Sequence, residues 1–429
     1  MDQLNIRSME EGNKTGKPVI KNLEKYEDMA NAIMKDPANT PIDFSNTEIA
    51  FANKTDKELK KAAWLFGLMN NHWLVGLGAK VGITAIKMRL PFVESVVKNT
   101  IFDQFCGGTT LLDCQKKIDR LFDHNALTIL DYGVEAKETE EDFNHTMNEN
   151  MRAIEFGAKH HAIPVVSTKI TGLGRFGLLE SIQRGDEFTP ETRNEYKSIL
   201  KRMDAICHLA EQRNISIFFD AEESWIQHTI DHLVGIMMKR YNRKKVVVYN
   251  TFQMYRTDRL QFLMDSFNKA KAEGYMLGAK LVRGAYMEKE RERAEKMDYP
   301  SPIHPNKNAT DDAYNTALRF CIDNYEEIAS CNASHNAASN LLQAQIIAER
   351  DIPKNHEHLN FCQLYGMSDN LTFNLSEAGY NVAKYVPYGK VVEVVPYLIR
   401  RAQENASVTG DMSREYQLVL REMKRRGLS

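Results

Sequence analysis

No two cysteines in the 429 residues stand as CxxC. That excludes a zinc ribbon or a thioredoxin-type redox motif. The six cysteines, Cys106, Cys114, Cys207, Cys321, Cys331 and Cys362, are widely spread and are expected as reduced thiols. Net charge is also missing: 56 Lys+Arg against 58 Asp+Glu leaves −2. A global electrostatic case for nucleic acid therefore fails, because phosphate binding needs concentrated cations. Long apolar runs are absent too. Residues 62–76 (AAWLFGLMNNHWLVG) come nearest, but Asn70, Asn71 and His72 interrupt them. They fall short of the ~18 unbroken apolar residues that a spanning helix needs. The start, Met1-Asp2-Gln3-Leu4, shows neither a basic region nor an apolar core, and Glu10 and Glu11 are acidic. Neither a secretory signal nor an arginine-rich transit peptide is expected, and a cytoplasmic setting follows.

What is present is ordinary globular material, 43% hydrophobic and 27% charged, enough for a sizeable core. Residues 1–45 are polar and carry scattered glycine and proline; they read as a partly disordered arm with a short helix near 22–35. Residues 46–122 look helical, with Thr55-Asp56 capping a helix that runs into Leu59, Ala62, Ala63 and Leu65. From about residue 126 short β-branched or apolar runs recur. They are Ala126–Tyr132, Ile163–Ile170, Ile215–Asp220, Val246–Phe252, Ala279–Tyr286, Ile328–Ser334, Leu359–Leu364 and Val382–Tyr388. Helix-period segments link them, such as Arg193–Ala210, Trp225–Met238, Gln261–Ala272 and Ala313–Ile328. Eight strands alternating with helices fit a (βα)8 barrel or a doubly wound sheet. No GxGxxG is read after an early strand, and the count favours the barrel.

In such a barrel, function gathers where the strands run out at their C-terminal ends. Those ends carry Asp131, Lys169, Asp220, Gln253, Lys280, Arg283, His335, Gln363 and Lys384. Asp220 follows the apolar Ile217-Phe218-Phe219, so it needs a cation or donors nearby; it either orients a ligand or caps the next helix. Lys169 is either a Schiff-base lysine or a permanent cation for an anionic substrate. Arg400-Arg401 follows an apolar run, and neighbouring helix residues diverge by ~100 degrees. One guanidinium can then clamp a carboxylate with paired hydrogen bonds while the other reaches a cofactor or a gate. No acidic or histidine cluster with ligand spacing accompanies these groups, so no metal is expected.

The segments TKITGLG (168–174), FFDAEES (218–224), YNTFQMY (249–255), KLVRGAYMEKER (280–291), ASHN (333–336), KYVPYG (384–389) and PYLIRRAQEN (396–405) carry a resemblance. In this order, over roughly residues 125–408, the chain strongly resembles the proline dehydrogenase family. The resemblance implies an FAD-dependent (βα)8 TIM-type barrel with a final helix over its mouth and an N-terminal helical arm. It implies oxidation of L-proline to Δ1-pyrroline-5-carboxylate, by hydride transfer to flavin N5, with electrons passed to a membrane quinone. By the same resemblance Lys169, Arg400 and Arg401 hold the substrate carboxylate, which makes the lysine a cation. Tyr385, Tyr397 and Leu364 wall the ring, and Glu135 pairs with Arg400 to gate the site. Asp220, Ala221, Gln253, Lys280, Arg283, Gly284, Ala285, Ser334 and His335 are implied at the FAD, with Asp220, Lys280 and Tyr385 nearest the chemistry. Many bacterial members have arginine where this chain has Lys280, which keeps the charge but loses the planar fork.

The domain reading is an arm over 1–45, a helical region over 46–122, a catalytic barrel over 123–410 and a basic helix or tail over 411–429. The chain is expected to be monofunctional. Peripheral attachment to the inner face of the membrane is expected through the 62–93 region or the tail (Arg414, Arg421, Lys424, Arg425, Arg426). Three rivals stand beside this reading. They are a 4-hydroxyproline dehydrogenase, which a bulky Tyr385 disfavours, a Schiff-base aldolase using Lys169, and a non-catalytic binding barrel.

Overall fold

The computed structural model describes residues 42–69, 93–133, 137–406 and 414–428. The expected arm at 1–45 and its helix near 22–35, most of the 62–93 membrane candidate and Glu135 lie outside or largely outside these residues.

Eight parallel strands close into a barrel in chain order. They are β1 (Leu127–Tyr132), β2 (Val165–Thr168), β3 (Ser216–Phe219), β4 (Val248–Gln253), β5 (Leu277–Val282), β6 (Ile328–Ala333), β7 (Leu359–Leu364) and β8 (Val382–Tyr388). Closure is made by β1 on β8, from Leu127 opposite Ala383 to Tyr132 opposite Tyr388. The strands are apolar on both faces because both are covered. One face meets the helices, through Leu130, Val166, Ile217 and Phe219. The other fills the barrel, through Ile129, Phe218, Tyr249, Cys331, Cys362 and Tyr385.

Local chemistry sets the element ends. The expected cap forms at helix Asp56–Met69: Glu58 N–H donates to Thr55 Oγ1 at 3.3 Å and Thr55 N–H to Glu58 Oε2 at 2.8 Å. Several expected boundaries move, three of them with a plain local cause. The fifth strand stops at Val282, not Tyr286, because Gly284 sits at φ +140° and turns the chain out of the ladder. The second stops at Thr168, where Ile170–Gly172 forms a turn. The helix expected over 313–328 runs over Lys307–Asp323, started by Asn306, whose side chain accepts from Ala309 N–H. A GxGxxG string does follow β2, at Gly172, Gly174 and Gly177, but Gly174 serves packing: a Cβ there would lie 2.3 Å from Ile199.

Outside the barrel a separate apolar cluster joins three helices, Asp56–Met69, Val391–Ala406 and Arg414–Arg425. Leu59, Phe66, Val394, Leu398 and Val419 meet there with Phe105. Helix Val391–Ala406, which carries the paired arginines, is thereby held at the C-terminal rim. The basic C-terminal helix is pinned to the body. Arg425 and Arg426 pair with Glu422, and Arg426 also donates to the carbonyls of Phe51 and Lys54. That engagement disfavours these two arginines as a free lipid-binding patch.

Candidate active site

A cavity of about 490 Å³ opens at the C-terminal rim. Every implied site residue among the described ones lines it: Lys169, Asp220, Ala221, Gln253, Lys280, Arg283, Gly284, Ala285, Ser334, His335, Leu364, Tyr385, Tyr397, Arg400 and Arg401. Lys169 to Ala285 come from the ends of β2 to β5 or the loops after them. Ser334 and His335 come from the loop after β6, Leu364 and Tyr385 from β7 and β8, and the rest from helix Val391–Ala406. Two rim candidates stay out. On β8 the inward position is Tyr385, so Lys384 points to the helix layer, where it pairs with Asp369 at 2.8 Å. On β7 Gln363 likewise turns outward, to Asn340 and Thr372.

Asp220 is the centre of the polar floor. Its Oδ1 accepts from Lys280 Nζ at 2.6 Å and Ser167 Oγ at 3.0 Å. Its Oδ2 accepts from the Tyr385 hydroxyl at 2.7 Å, with Lys169 Nζ at 3.9 Å. Burial alone would raise this carboxyl. The fields of Lys280 and Lys169 and the hydrogen bonds from Lys280 and Tyr385 outweigh it and hold the group below the usual range. The same tyrosine ring lies under Lys280, with Nζ 4.7 Å from its centroid. Asp131 goes the other way. Burial lifts it to about 6 against the attraction of Lys169. Glu222, also buried, is pushed up to about 8, although Thr171 hydrogen-bonds it through both backbone and side chain.

The raised Glu222 has a stability consequence with a definite sign. Its folded value lies above the ordinary 4.5, so the native state holds an extra proton between about pH 4.5 and 8. Stability from this group is complete below that window and is lost as pH rises through it. Glu222→Gln keeps an acceptor for Thr171 N–H and cannot ionise. Between pH 6 and 9 the variant should lose less thermal stability than the parent protein, as calorimetry would show. Parallel curves would mean that Glu222 does not titrate there.

Arg283, also in the lining, is held by Asp311 at 2.7 Å, Ser334 Oγ at 2.8 Å and Ser339 Oγ at 3.0 Å. Its guanidinium stacks on Tyr314, 4.3 Å from the ring centroid. Next to it Gly284 cannot be replaced without strain, since a Cβ would lie 2.4 Å from the Tyr255 ring. Gln253 donates to Glu222 O at 3.0 Å and leaves a buried Oε1 with no partner in the protein. Arg401 is buried and its guanidinium lies 5.1 Å from the Tyr397 ring centroid. Among the described residues no cluster of histidine, cysteine and carboxylate side chains could hold a metal. Sequence reading gave Ser167 and Ser368 no role and set Glu222 aside with its acidic neighbours, because each gains its role only through partners distant in the chain.

Fold and cavity together define a (βα)8 barrel with a cation-rich cavity at its C-terminal rim. Within that class the proline dehydrogenase family model matches residues 114–414. The chain belongs to the proline dehydrogenase family. It is 32% identical over 374 residues to proline dehydrogenase 1, mitochondrial, of Dictyostelium discoideum, covering 77% of this chain and 65% of that protein. The Drosophila melanogaster protein of the same description is 36% identical over 250 residues, 56% of this chain and 37% of its own. The chain thus spans less than two thirds of these two relatives. Among solved structures, proline utilization A from Bdellovibrio bacteriovorus shares the fold, at TM-score 0.66 and 20% identity, over 95% of this chain and 42% of that one.

Proposed function

We propose that the cavity binds FAD and L-proline, and that the protein oxidises L-proline to Δ1-pyrroline-5-carboxylate as the first step of proline catabolism. The observation that carries this reading is the lining of the cavity. Lys169, Arg400 and Arg401 share it with Tyr385, Tyr397 and Leu364. Three cations suit a carboxylate, and two aromatic rings with a leucine suit a small saturated ring.

The residues present fit FAD. Gly284 keeps its loop free of a Cβ, Gln253 Oε1 is an acceptor without a protein partner, and Arg283 offers a fixed guanidinium beside Ser334 and His335. When bound, the flavin supplies the two-electron acceptor. The protein supplies the rest. The arginines and Lys169 fix the substrate carboxylate, which lowers the entropic cost of alignment. Asp220 pins the Tyr385 hydroxyl and so the ring plane that meets the substrate. Cations around the substrate favour its neutral amine, the form from which hydride can leave. Lys169 already faces Asp220, which supports a permanent cation and not a Schiff base.

Electrons would pass on to a quinone, with the protein resting on the inner face of the membrane. Among the described residues no helix is long and apolar enough to cross a bilayer. Trp64, Leu68 and Val96 expose apolar side chains at the N-terminal segments, which supports peripheral contact there. All six cysteines are free and buried, as suits a reducing, cytoplasmic setting.

Steady-state assay with a soluble quinone tests the reaction. Saturable turnover of L-proline is expected, with trans-4-hydroxy-L-proline much poorer because Tyr385 fills the ring wall. Faster turnover of the hydroxylated substrate would move the specificity to it, equal turnover would remove Tyr385 as a discriminating wall, and turnover of neither would remove the reading.

A further inference from the structure

We infer that Glu415, on the C-terminal helix Arg414–Arg425, is a positioning residue for the cavity: through Ser368 it fixes which ring nitrogen of His335 carries the proton. His335 lines the cavity, and its Nδ1 lies 2.8 Å from Ser368 Oγ. The same Oγ lies 3.2 Å from Glu415 Oε1, which also accepts Ser368 N–H at 2.9 Å. A serine hydroxyl has one proton. A carboxylate has none to give, so the contact with Glu415 requires the serine proton. Ser368 Oγ must then accept from His335, which places the ring proton on Nδ1. At the other side of the ring, Leu364 N–H points at Nε2 from 3.5 Å, a long contact that still requires a lone pair there. That contact agrees with the assignment but is too long to hold it alone, so the serine decides.

The backbone shows that the arrangement is built. Ser368 precedes helix Asp369–Glu377 at the position where a serine hydroxyl ordinarily caps the helix, yet it makes no cap. It sits instead in the left-handed region, at φ +51°, a conformation that costs a non-glycine residue energy. That turn brings its N–H and hydroxyl to one carboxylate oxygen. The surroundings hold the ring in one charge state. Burial first, and then the fields of Lys384, Arg401, Arg414 and Arg283, push His335 down to about 3, so the ring is neutral across the working range. Glu415 is raised by burial and by Asp369, and its charge is favoured by Ser368 N–H, Lys384 and Arg414. Lys384 and Lys54 neutralise Asp369, at 2.8 and 3.1 Å.

A neutral ring with a fixed tautomer presents a constant edge to whatever occupies the cavity, and a helix beyond the family-matched segment sets it. The inference does not depend on the identity of the ligand. Long-range 15N correlation spectra of the labelled full chain at pH 7, with His335 assigned by loss of its signals in His335→Asn, test it. In the parent protein Nδ1 should have the shift of a protonated nitrogen and Nε2 that of a bare one. Glu415→Ala frees the serine proton for Nδ1, and the two shifts should move toward exchange of roles. Glu415→Gln retains an acceptor oxygen and should preserve the parent pattern. Val419→Ala loosens the docking of the same helix but keeps Glu415, and should also preserve it. An Nε2-protonated ring in the parent protein, or an unchanged ring in Glu415→Ala, would overturn the inference. So would Val419→Ala shifting the tautomer as Glu415→Ala does, since that would reduce the effect to loss of helix docking.

Discussion

Replacing Arg401 by lysine is expected to raise the KM for L-proline about tenfold to a hundredfold, the equivalent of one charged hydrogen bond at ~1.5–3 kcal/mol. The physical reason is shape. Arg401 is buried against Tyr397, and a guanidinium can stack there and still offer two parallel donors to a carboxylate. Lysine keeps the charge and loses both the stack and the fork. The interaction serves substrate and transition state alike, so KM should change more than kcat. FAD should stay bound, because Arg283 and Gly284 lie elsewhere in the cavity wall. A KM within twofold of the parent value would remove Arg401 from the carboxylate clamp.

The second large effect lies outside the cavity. Asp231, on helix Ser224–Tyr241, accepts both Arg259 terminal nitrogens, at 2.8 and 3.0 Å. It also takes Gln227 at 2.9 Å and Asn250 at 2.8 Å. Arg259 is fully buried and stacks on Phe262, 4.1 Å from the ring centroid. Asp231→Ala leaves this arginine without its counter-charge in the layer between helices and barrel. The expected cost is about 3–5 kcal/mol, or a Tm lower by roughly 3–6 °C. The double variant Asp231→Leu with Arg259→Met should recover much of the loss, because the pair's desolvation cost disappears with its charges. Calorimetry decides it. A change in Tm of less than ~1 °C for Asp231→Ala would show that the pair contributes little, on the same scale.

The barrel was legible because its strands are β-branched runs of the right length between helix-period segments. Lys169, Asp220 and Gln253 were legible as groups because each ends such a run. Lys384 and Gln363 looked equivalent and are not. Strand alternation decides between them and their neighbours: Tyr385 faces inward, so Lys384 cannot. The arginine pair was legible from its apolar approach, and the seven family segments supplied the roles. What stayed hidden was relational. The raised Glu222 and Asp131 depend on how much water the fold removes. The Glu415–Ser368–His335 relay joins residues 33 and 47 positions apart along the chain, with no spacing rule to announce it. Boundaries moved where one residue ruled, as with Gly284 and the unanticipated cap at Asn306.

The central claim is that one cavity holds flavin and L-proline in reacting contact. Anaerobic addition of L-proline to the purified, FAD-loaded protein, followed by its visible spectrum, tests this most directly. The account predicts that the flavin bands bleach with L-proline and far less with trans-4-hydroxy-L-proline. Flavin that stays oxidised in saturating L-proline would contradict it, as would a protein that takes up no FAD at all.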